Sequence, residues 1–198
     1  RSTLFPYTTL FRSVWQLPVV FVVNNNQWAI SVPRCLQSAA PTLAHKALAA
    51  GITGEQVDGN DVLAVYDRVR IAIERARAGK GPTLIECVTY RLGDHTTSDD
   101  ASRYRSAEEL SEAWKREPLG RLQRFLHQQG LWDEAQEQRL HRELGEQINA
   151  AVEAFRALAE PEPSAPFDHL YQQLPAGYAA QRDQWLERAG RLAGGEHG

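Results

Sequence analysis

The sequence contains no methionine, even at its first position, and only two cysteines among its 198 residues. Because translation begins with methionine, we expect the chain to be part of a longer or processed protein. Cys35 and Cys87 lie far apart and lack the CxxC spacing of a metal or redox site. Two separated thiols favour a reducing compartment such as the cytoplasm over a disulfide framework.

Long apolar runs and a strong charge imbalance are also absent. The longest apolar run, residues 17–23, is much shorter than the roughly 20 residues that a membrane-spanning helix requires. The net charge is −3 and the isoelectric point is about 6.1. A chain with this small negative net charge has no excess of positive charge to attract nucleic acid or an anionic membrane. We therefore predict that the chain binds neither.

Several common catalytic motifs are missing as well. The chain has no GxGxxG, GxxxxGK[ST], GxSxG or HExxH segment. These motifs carry dinucleotide binding, nucleotide phosphate binding, serine-hydrolase chemistry and zinc-protease chemistry. The sequence therefore gives no support to any of those four activities.

The first thirteen residues, RSTLFPYTTLFRS, differ in character from the rest. They lack the apolar core and the small-residue cleavage site of a signal peptide. They match the in-frame translation of an adaptor used in sequencing libraries. We therefore interpret residues 1–13 as an artefact and omit them from the fold prediction. A natural edge strand is the alternative.

From residue 14 onward, predicted strands and helices alternate. Apolar, β-branched runs predict strands at about 19–24, 52–57 and 83–89. Helices are predicted over residues 41–50, ending at Gly51, and from the N-cap Asp61 to Gly79. Alternation of this kind predicts an α/β domain over residues 14–105, with a parallel sheet covered by helices.

The chain changes character after Tyr90. Residues 91–105 are polar and aperiodic, which is typical of a functional or disordered loop. Residues 106–198 are charged and predicted to be helical. Ser106 and Glu109 form a capping-box pattern, Pro118 begins a further helix, and a long helix follows Asp133. Residues 159–166 resemble a linker before a last helix.

Two clusters carry candidate chemistry. The run NNNQW, residues 24–28, follows a buried strand, and ligands of open parallel sheets bind at that end of the strands. An asparagine oxygen suits magnesium, although a simple turn would use the same residues. The second cluster is His95 with Arg91 in the polar loop. Arginine binds phosphate well and histidine moves protons near neutral pH, although a solvated loop histidine is the alternative.

Four segments together resemble the alpha subunit of thiamine-diphosphate-dependent 2-oxo acid dehydrogenases. In chain order they are VWQLPVVFVVNNNQWAISVP, LAHKALAAGITGEQVDGNDVLAVYDRV, GKGPTLIECVTYRLGDHTTSDDASRYR and LGRLQRFLHQQGLW. The resemblance extends from residue 14 to about residue 174 and is nearest to bacterial pyruvate dehydrogenases. It implies the C-terminal half of a thiamine-diphosphate-binding parallel-sheet fold with a helical C-terminal extension, in the bacterial cytoplasm.

The resemblance also implies site residues. The side chain of Asn26 and the backbone carbonyl of Trp28 match two magnesium ligands of the family. His95 matches a catalytic loop histidine near the diphosphate of the cofactor. Arg91 and Ser98 match further residues of this cofactor-binding loop.

Other features of the family bear on residues 91–105 and on the missing ligands. Thr96 lies where mitochondrial animal enzymes carry a phosphorylated serine, and Tyr104 and Arg105 match the downstream anchor of the loop. The family's Gly-Asp-Gly motif, whose aspartate is the carboxylate ligand of magnesium, precedes the asparagine run and is not in this sequence. A neutral amide and a carbonyl bind magnesium diphosphate poorly without a carboxylate. We therefore expect the isolated chain to be inactive.

The reaction implied by the resemblance is the oxidative decarboxylation of pyruvate with transfer of the acetyl group to a lipoyl group. The expected partners are a beta subunit, completing a heterotetramer, and the lipoyl-bearing acyltransferase component. Branched-chain 2-oxo acid and acetoin dehydrogenases share most of these motifs, so the substrate stays open. The alternative from another class is a helical subunit-interaction module that uses residues 106–158 and has no activity.

Overall fold

The computed structural model describes residues 13–193 of the chain. Residues 1–12, most of the segment interpreted as an artefact, lie outside the described residues, as does the glycine-rich end. The described chain forms two compact units, the first ending at Glu134 and the second beginning at Ala135.

The first unit contains all of the described β-structure. Its strands are β1 (Val20–Asn25), β2 (Trp28–Ala29), β3 (Val32–Pro33), β4 (Thr53–Asp58) and β5 (Thr83–Val88). Its α-helices are α1 (Arg34–Gln37), α2 (Lys46–Ala49), α3 (Val62–Arg77), α4 (Ala107–Trp114) and α5 (Pro118–Gln128). Short 3₁₀ turns cover Leu43–His45 and Ala101–Arg103.

The second unit is helical. Its elements are α6 (Glu134–Arg156), which begins at the last residue of the first unit, α7 (Ala165–Asp168) and α8 (Ala176–Ala193). The indole Nε1 of Trp185 on α8 donates to the carbonyl of Pro163, with 2.8 Å between the two atoms. The predicted last helix is therefore present. None of the described helices is both long enough and apolar enough to cross a bilayer.

Three strands form a parallel sheet in the order β1-β5-β4. Thr83, the first residue of β5, is in register with Val20 of β1 and with Thr53 of β4. Because β5 is the middle strand, its residues are covered on both faces, which explains why most of them are apolar. The predicted parallel α/β sheet is thus confirmed.

The side chains of β5 alternate between two apolar layers, as the two-residue period of a strand requires. Leu84 packs with Ala44 and Ala47 on the face of the sheet that α2 covers. Ile85 and Cys87 pack against α3 on the opposite face. Glu86 belongs to the same face as Leu84, because it is two residues further along the strand.

Side-chain caps fix several helix ends as the sequence predicted. A carboxylate oxygen of Asp61 accepts from the backbone N–H groups of Leu63 and Ala64, at 3.1 Å each, and α3 begins there. The hydroxyl of Ser106 accepts from the N–H of Glu109 at 3.1 Å, which begins α4. The carboxylate of Glu109 accepts a hydrogen bond from Tyr90 instead of completing the capping box.

The helix predicted over residues 41–50 is shorter than expected. A 3₁₀ turn, Leu43–His45, precedes the four residues of α2, and its N-cap is Thr42. The side-chain oxygen of Thr42 accepts from the N–H of His45 and tightens this first turn. The end of the helix was predicted correctly, because Gly51 adopts a φ of +65° there.

The hairpin β2–β3 has no counterpart in the sequence prediction. It follows the asparagine run. Gln27, with a φ of +70°, directly precedes β2, and Ile30, with a φ of +55°, lies in the turn between β2 and β3. Positive φ angles are unusual for a β-branched residue, and the segment has no glycine to announce a turn. Propensity alone therefore did not reveal this hairpin.

Candidate functional site

The candidate site lies at the carboxyl edge of the parallel sheet. β1 ends at Asn25, β4 at Asp58 and β5 at Val88, and the parallel register brings these three ends together. Open parallel sheets bind ligands at this edge, because the strands end there in loops that can be shaped for binding. The asparagine run and residues 91–105 both begin here.

The middle asparagine of the run points into the protein and does not face a ligand. Asn25 is 6% exposed, and its Nδ2 donates to Oε1 of Glu86 at 2.6 Å. Its Oδ1 accepts from the backbone N–H of Gln27 at 3.2 Å, and its backbone carbonyl accepts from the N–H of Thr89 at 2.9 Å. Asn25 therefore connects the end of β1 to the end of β5.

Asn26, the predicted magnesium ligand, is half-buried and directly precedes the turn at Gln27. Its Oδ1 accepts from the N–H of Trp28 at 3.1 Å, and its backbone carbonyl accepts from the N–H of Arg91 at 3.1 Å. An amide oxygen has two lone pairs, so one remains available on Oδ1. The structure thus leaves Asn26 able to act as an oxygen ligand.

The second predicted ligand, the carbonyl of Trp28, is not used by the hairpin. The N–H of Arg34 donates to the carbonyl of Gln27 at 2.8 Å, and Trp28 is in register with Pro33. Hydrogen-bonded and non-hydrogen-bonded pairs alternate along an antiparallel ladder. Trp28 and Pro33 are the pair next to the bonded residues Gln27 and Arg34, so their carbonyl groups point away from the opposite strand. Pro33 also has no N–H to donate. The carbonyl of Trp28 is therefore directed away from β3.

The two predicted ligand oxygens, on Asn26 and Trp28, are neutral. Among the described residues there is no cluster of three or more histidine, cysteine, aspartate or glutamate side chains that could hold a metal. Asn26 and Trp28 offer hard oxygen ligands of the type that magnesium prefers, without a carboxylate. By themselves these two oxygen atoms are an incomplete ligand set for magnesium.

The loop after β5 is fastened directly onto the hairpin. The guanidinium of Arg91 donates to the carbonyl of Ile30 at 2.8 Å and to the hydroxyl of Tyr104 at 2.7 Å. The rings of Tyr104 and Trp28 pack against each other, with their centroids 5.4 Å apart. In the described part of the chain, Nε of Arg91 is buried and has no acceptor. One donor of the Arg91 guanidinium therefore has no partner among the described residues.

Arg105 closes the downstream end of the loop. It is 7% exposed and donates to the backbone carbonyls of Arg91 and Leu92, the latter at 3.1 Å. Its guanidinium also lies 5.8 Å from the centre of the Tyr90 ring. Two carbonyl groups and one aromatic ring near the start of the loop thus hold Arg105 at the end of the loop. Tyr104 and Arg105 therefore anchor the downstream end of the loop, as the family resemblance implied.

His95 is at the exposed part of the loop. Its backbone N–H donates to Oδ2 of Asp99 at 2.8 Å, and the same oxygen accepts from the hydroxyl of Tyr104. Within residues 13–193 the imidazole ring has no hydrogen-bond partner and is exposed. Ser98 is exposed too, with its hydroxyl 3.3 Å from that of Thr96. The roles of His95 and Ser98 stay predictions.

Asp99 and Tyr104 influence each other's proton equilibria. The hydrogen bond from Tyr104, followed by that from the N–H of His95, lowers the pKa of Asp99 below its usual value. Burial raises the pKa of Tyr104, and its hydrogen bond to Asp99 raises it further. At neutral pH Asp99 is therefore charged and Tyr104 carries the proton that joins them.

Two of the described clefts lie near the carboxyl edge of the sheet. One of about 420 Å³ is lined by residues at the ends of β4 and β5, among them Asp58, Tyr90 and Arg116. A second, of about 340 Å³, shares Gln27 and Tyr90 with it. Neither of these two clefts is lined by Asn26 or His95.

Sequence reasoning missed Glu86, the buried partner of Asn25. The one signal in the sequence was a glutamate in the middle of the apolar strand segment TLIECV. A charged residue in a central parallel strand is rare unless it is paired. A glutamate at such a position therefore indicates a buried structural or functional partner.

The chain matches the family described as Dehydrogenase E1 component over residues 5–164. It is 46% identical over 182 residues to the 3-methyl-2-oxobutanoate dehydrogenase subunit alpha of Mycobacterium tuberculosis, covering 88% of this chain and 47% of the relative. It is 42% identical over 179 residues to the pyruvate dehydrogenase E1 component subunit alpha of Staphylococcus epidermidis, covering 90% and 48%. The chain spans about half the length of these curated relatives.

Proposed function

This chain belongs to the dehydrogenase E1 component family, and we propose that it forms the cofactor-binding edge of the alpha subunit of a thiamine-diphosphate-dependent 2-oxo acid dehydrogenase. The observation that supports this most directly is the bond from the N–H of Arg91 to the carbonyl of Asn26. It fastens the histidine-bearing loop to the residue proposed as a magnesium ligand. A solvated loop would need no such attachment.

The proposed metal site uses two oxygen atoms of this chain. Oδ1 of Asn26 and the backbone carbonyl of Trp28 would hold magnesium, and diphosphate oxygens and the aspartate of a Gly-Asp-Gly motif would supply further ligands. The unsatisfied Nε donor of Arg91 supports the presence of an anion next to the loop. We expect the isolated chain to be inactive, since these two neutral ligands are an incomplete set.

Thiamine diphosphate, when bound, supplies a carbon centre that accepts the electron pair released on decarboxylation. The residues of this chain act around that centre. The loop of residues 91–105 covers the site and excludes water. The imidazole of His95 holds or donates a proton next to the diphosphate, while Arg91 keeps the loop attached to Ile30 and Tyr104. Ser98 borders the same anion.

The proposed partners and substrates follow from the family. The relatives are named as alpha subunits, which supports a beta subunit as the partner and a lipoyl-bearing acyltransferase component as the acceptor of the acyl group. Pyruvate is the substrate that the resemblance favours. A branched 2-oxo acid is the second candidate, because the 46% identity is to a 3-methyl-2-oxobutanoate enzyme.

The test uses a full-length subunit that contains this segment, co-expressed with its beta subunit. Reduction of an artificial electron acceptor is measured with pyruvate, 3-methyl-2-oxobutanoate and acetoin, with and without thiamine diphosphate and magnesium. We expect cofactor-dependent reduction with a 2-oxo acid. A complex that reduces the acceptor equally well without the cofactor, or with none of these substrates, contradicts the proposal.

The role of His95 is tested in the same complex. His95→Ala should lower acyl transfer to a lipoyl domain by about 10²-fold, the usual contribution of a positioned acid or base. The matched control is His127→Ala, which removes an exposed histidine on α5 and should leave the rate unchanged. Equal rates for the two variants would remove His95 from the mechanism.

A further inference from the structure

Glu86 is the one charged side chain in the apolar centre of the sheet that the structure describes as fully buried. It is 0% exposed, although its neighbours in β5 are apolar. Oε1 accepts from Nδ2 of Asn25 at 2.6 Å, and Oε2 accepts from the backbone N–H of Ala44 at 2.8 Å. No lysine, arginine or histidine of the described chain pairs with it. Burial of a carboxylate with two neutral donors is unfavourable, so its presence requires a compensating role.

The carboxylate of Glu86 determines the orientation of the Asn25 amide. A carboxylate accepts hydrogen bonds only, so it selects the NH₂ end of the amide. The oxygen end is then directed at the N–H of Gln27, where it accepts at 3.2 Å. With the amide reversed, two donors would meet at Gln27 and two acceptors at Glu86. The pairing of Glu86 with Asn25 thus specifies the hydrogen bond that begins the turn.

That turn in turn positions Asn26. Gln27 adopts a φ of +70°, which the bond from its N–H to Asn25 helps to stabilise. Asn26 lies between Asn25 and this strained residue, with its own Oδ1 bonded to the N–H of Trp28 at 3.1 Å. A change at Glu86 is therefore transmitted through two hydrogen bonds to Gln27, the residue that directly follows the proposed ligand Asn26.

We propose that Glu86 is a positioning residue for the metal site, acting through the Asn25 amide to fix the turn that presents Asn26 and the carbonyl of Trp28. This inference rests on the proposed function, because it concerns the same oxygen ligands. Glu86 itself contacts neither metal nor cofactor. The role requires that the side chains at positions 86 and 25 be complementary as donor and acceptor, and that position 25 still accept from the N–H of Gln27.

Two variants test whether the donor–acceptor pairing of Asn25 and Glu86 is required. Glu86→Gln keeps the size of the side chain but presents an NH₂ group either to Asn25 or to the N–H of Ala44. The double variant Glu86→Gln with Asn25→Asp exchanges the carboxylate and the amide. The introduced glutamine then accepts from Ala44 and donates to the introduced aspartate, whose second oxygen accepts from Gln27. All four hydrogen-bonding groups are satisfied again.

The experiment uses the full-length alpha subunit assembled with its beta subunit and has two readouts. The first is hydrogen exchange at the backbone N–H groups of Gln27 and Trp28. The second is the apparent Kd for Mn²⁺, used as a spectroscopic substitute for magnesium, in the presence of thiamine diphosphate. Glu55→Gln, on the neighbouring strand β4, is the matched control.

We expect Glu86→Gln to accelerate exchange at both N–H groups and to weaken Mn²⁺ binding by about tenfold, the effect of one lost buried hydrogen bond. The double variant should recover to within about threefold of the natural protein on both readouts, a coupling that a simple packing role does not produce. Asn25→Asp alone should be impaired, because two carboxylates then face each other.

Other results would contradict the positioning role of Glu86 or the proposed function. If Glu86→Gln matches Glu55→Gln on both readouts, or if the double variant folds and binds no better than Glu86→Gln, the positioning role is wrong. If the natural complex fails to bind Mn²⁺ with thiamine diphosphate, the proposed function fails. Hydrogen exchange then still decides whether Glu86 sets the turn.

Discussion

The backbone N–H of Arg91 donates to the backbone carbonyl of Asn26, with 3.1 Å between nitrogen and oxygen. This bond joins the first residue of the long polar loop to the residue at the end of β1 that the sequence predicts as a metal ligand. The two segments are far apart in the sequence and meet only because β1 and β5 are neighbours in the sheet. Their relative position is therefore fixed by the sheet.

Tyr104 is predicted to control the order of the loop. Tyr104→Phe removes the hydroxyl that accepts from Arg91 and donates to Asp99, while the packing of the ring on Trp28 is kept. We expect severalfold faster hydrogen exchange at the N–H of His95, because its acceptor Asp99 loses its other support. Peptide-level exchange measured by mass spectrometry checks this.

The matched control for that change is Tyr66→Phe. Tyr66 is 69% exposed on α3, and its hydroxyl forms no hydrogen bond in the part of the chain that the structure describes. Exchange within residues 91–105 should be unaffected by it. If both variants leave the loop equally protected, the hydroxyl of Tyr104 does not hold it.

The loop should also lose order in acid. The hydrogen bond from Tyr104 and that from the N–H of His95 lower the pKa of Asp99 from its ordinary 3.8. A lowered pKa means that the charged carboxylate favours the ordered loop. This contribution is fully present above about pH 5 and is lost as the pH falls from about 4 through the lowered pKa.

Protease cleavage within residues 91–105, measured with an acid-stable protease as a function of pH, reports this transition. Tyr104→Phe should move the midpoint toward higher pH, because the first cause of the lowered pKa is gone. A midpoint that stays the same in the variant would assign the acid sensitivity to another group.

Gly54 is predicted to tolerate no side chain. A Cβ atom at this position of β4 would lie 2.6 Å from the carbonyl oxygen of Ala44 and 2.6 Å from the Cβ of Ala47. Gly54→Ala should lower the free energy of unfolding by roughly 1–3 kcal/mol, because backbone atoms must shift to admit the methyl group. Urea denaturation measures this.

Gly93→Ala serves as the control for Gly54, since nothing lies within 4 Å of the Cβ that it would add. We expect a change within about 0.5 kcal/mol, the usual range for surface substitutions. If both alanine variants lower the free energy of unfolding by the same amount, β4 and the 3₁₀ turn before α2 can move apart to admit a methyl group, and the prediction for Gly54 is wrong.

The two thiols should differ in reactivity. Cys35 is exposed, whereas Cys87 is 6% exposed in β5 and burial raises the pKa of its thiol. Because the thiolate is the reacting form, alkylation of the folded chain should modify one cysteine rapidly. In Cys35→Ser, labelling should appear only after denaturant is added; rapid labelling of that variant while folded contradicts the burial of Cys87.

The strands and several helix ends were predictable because their signals are local. The apolar runs predicted all three strands of the parallel sheet, and Asp61 and Ser106 cap helices where the sequence placed them. The hairpin after Asn26 was not predictable, because residues that rarely adopt a positive φ do so at Gln27 and Ile30. Contacts made after folding stabilise that backbone, and a local pattern does not reveal them.

The sequence by itself determined the alternation of strands and helices, the family resemblance and the candidates Asn26, Trp28, Arg91, Ser98 and His95, since residue type and short-range order carry that information. The tertiary structure alone decided that β5 lies between β1 and β4, that Arg91 binds Tyr104 and the carbonyl of Ile30, and that Glu86 orients Asn25. The physical reason is that directional hydrogen bonds between distant segments depend on strand order and register, which are set when the whole sheet packs.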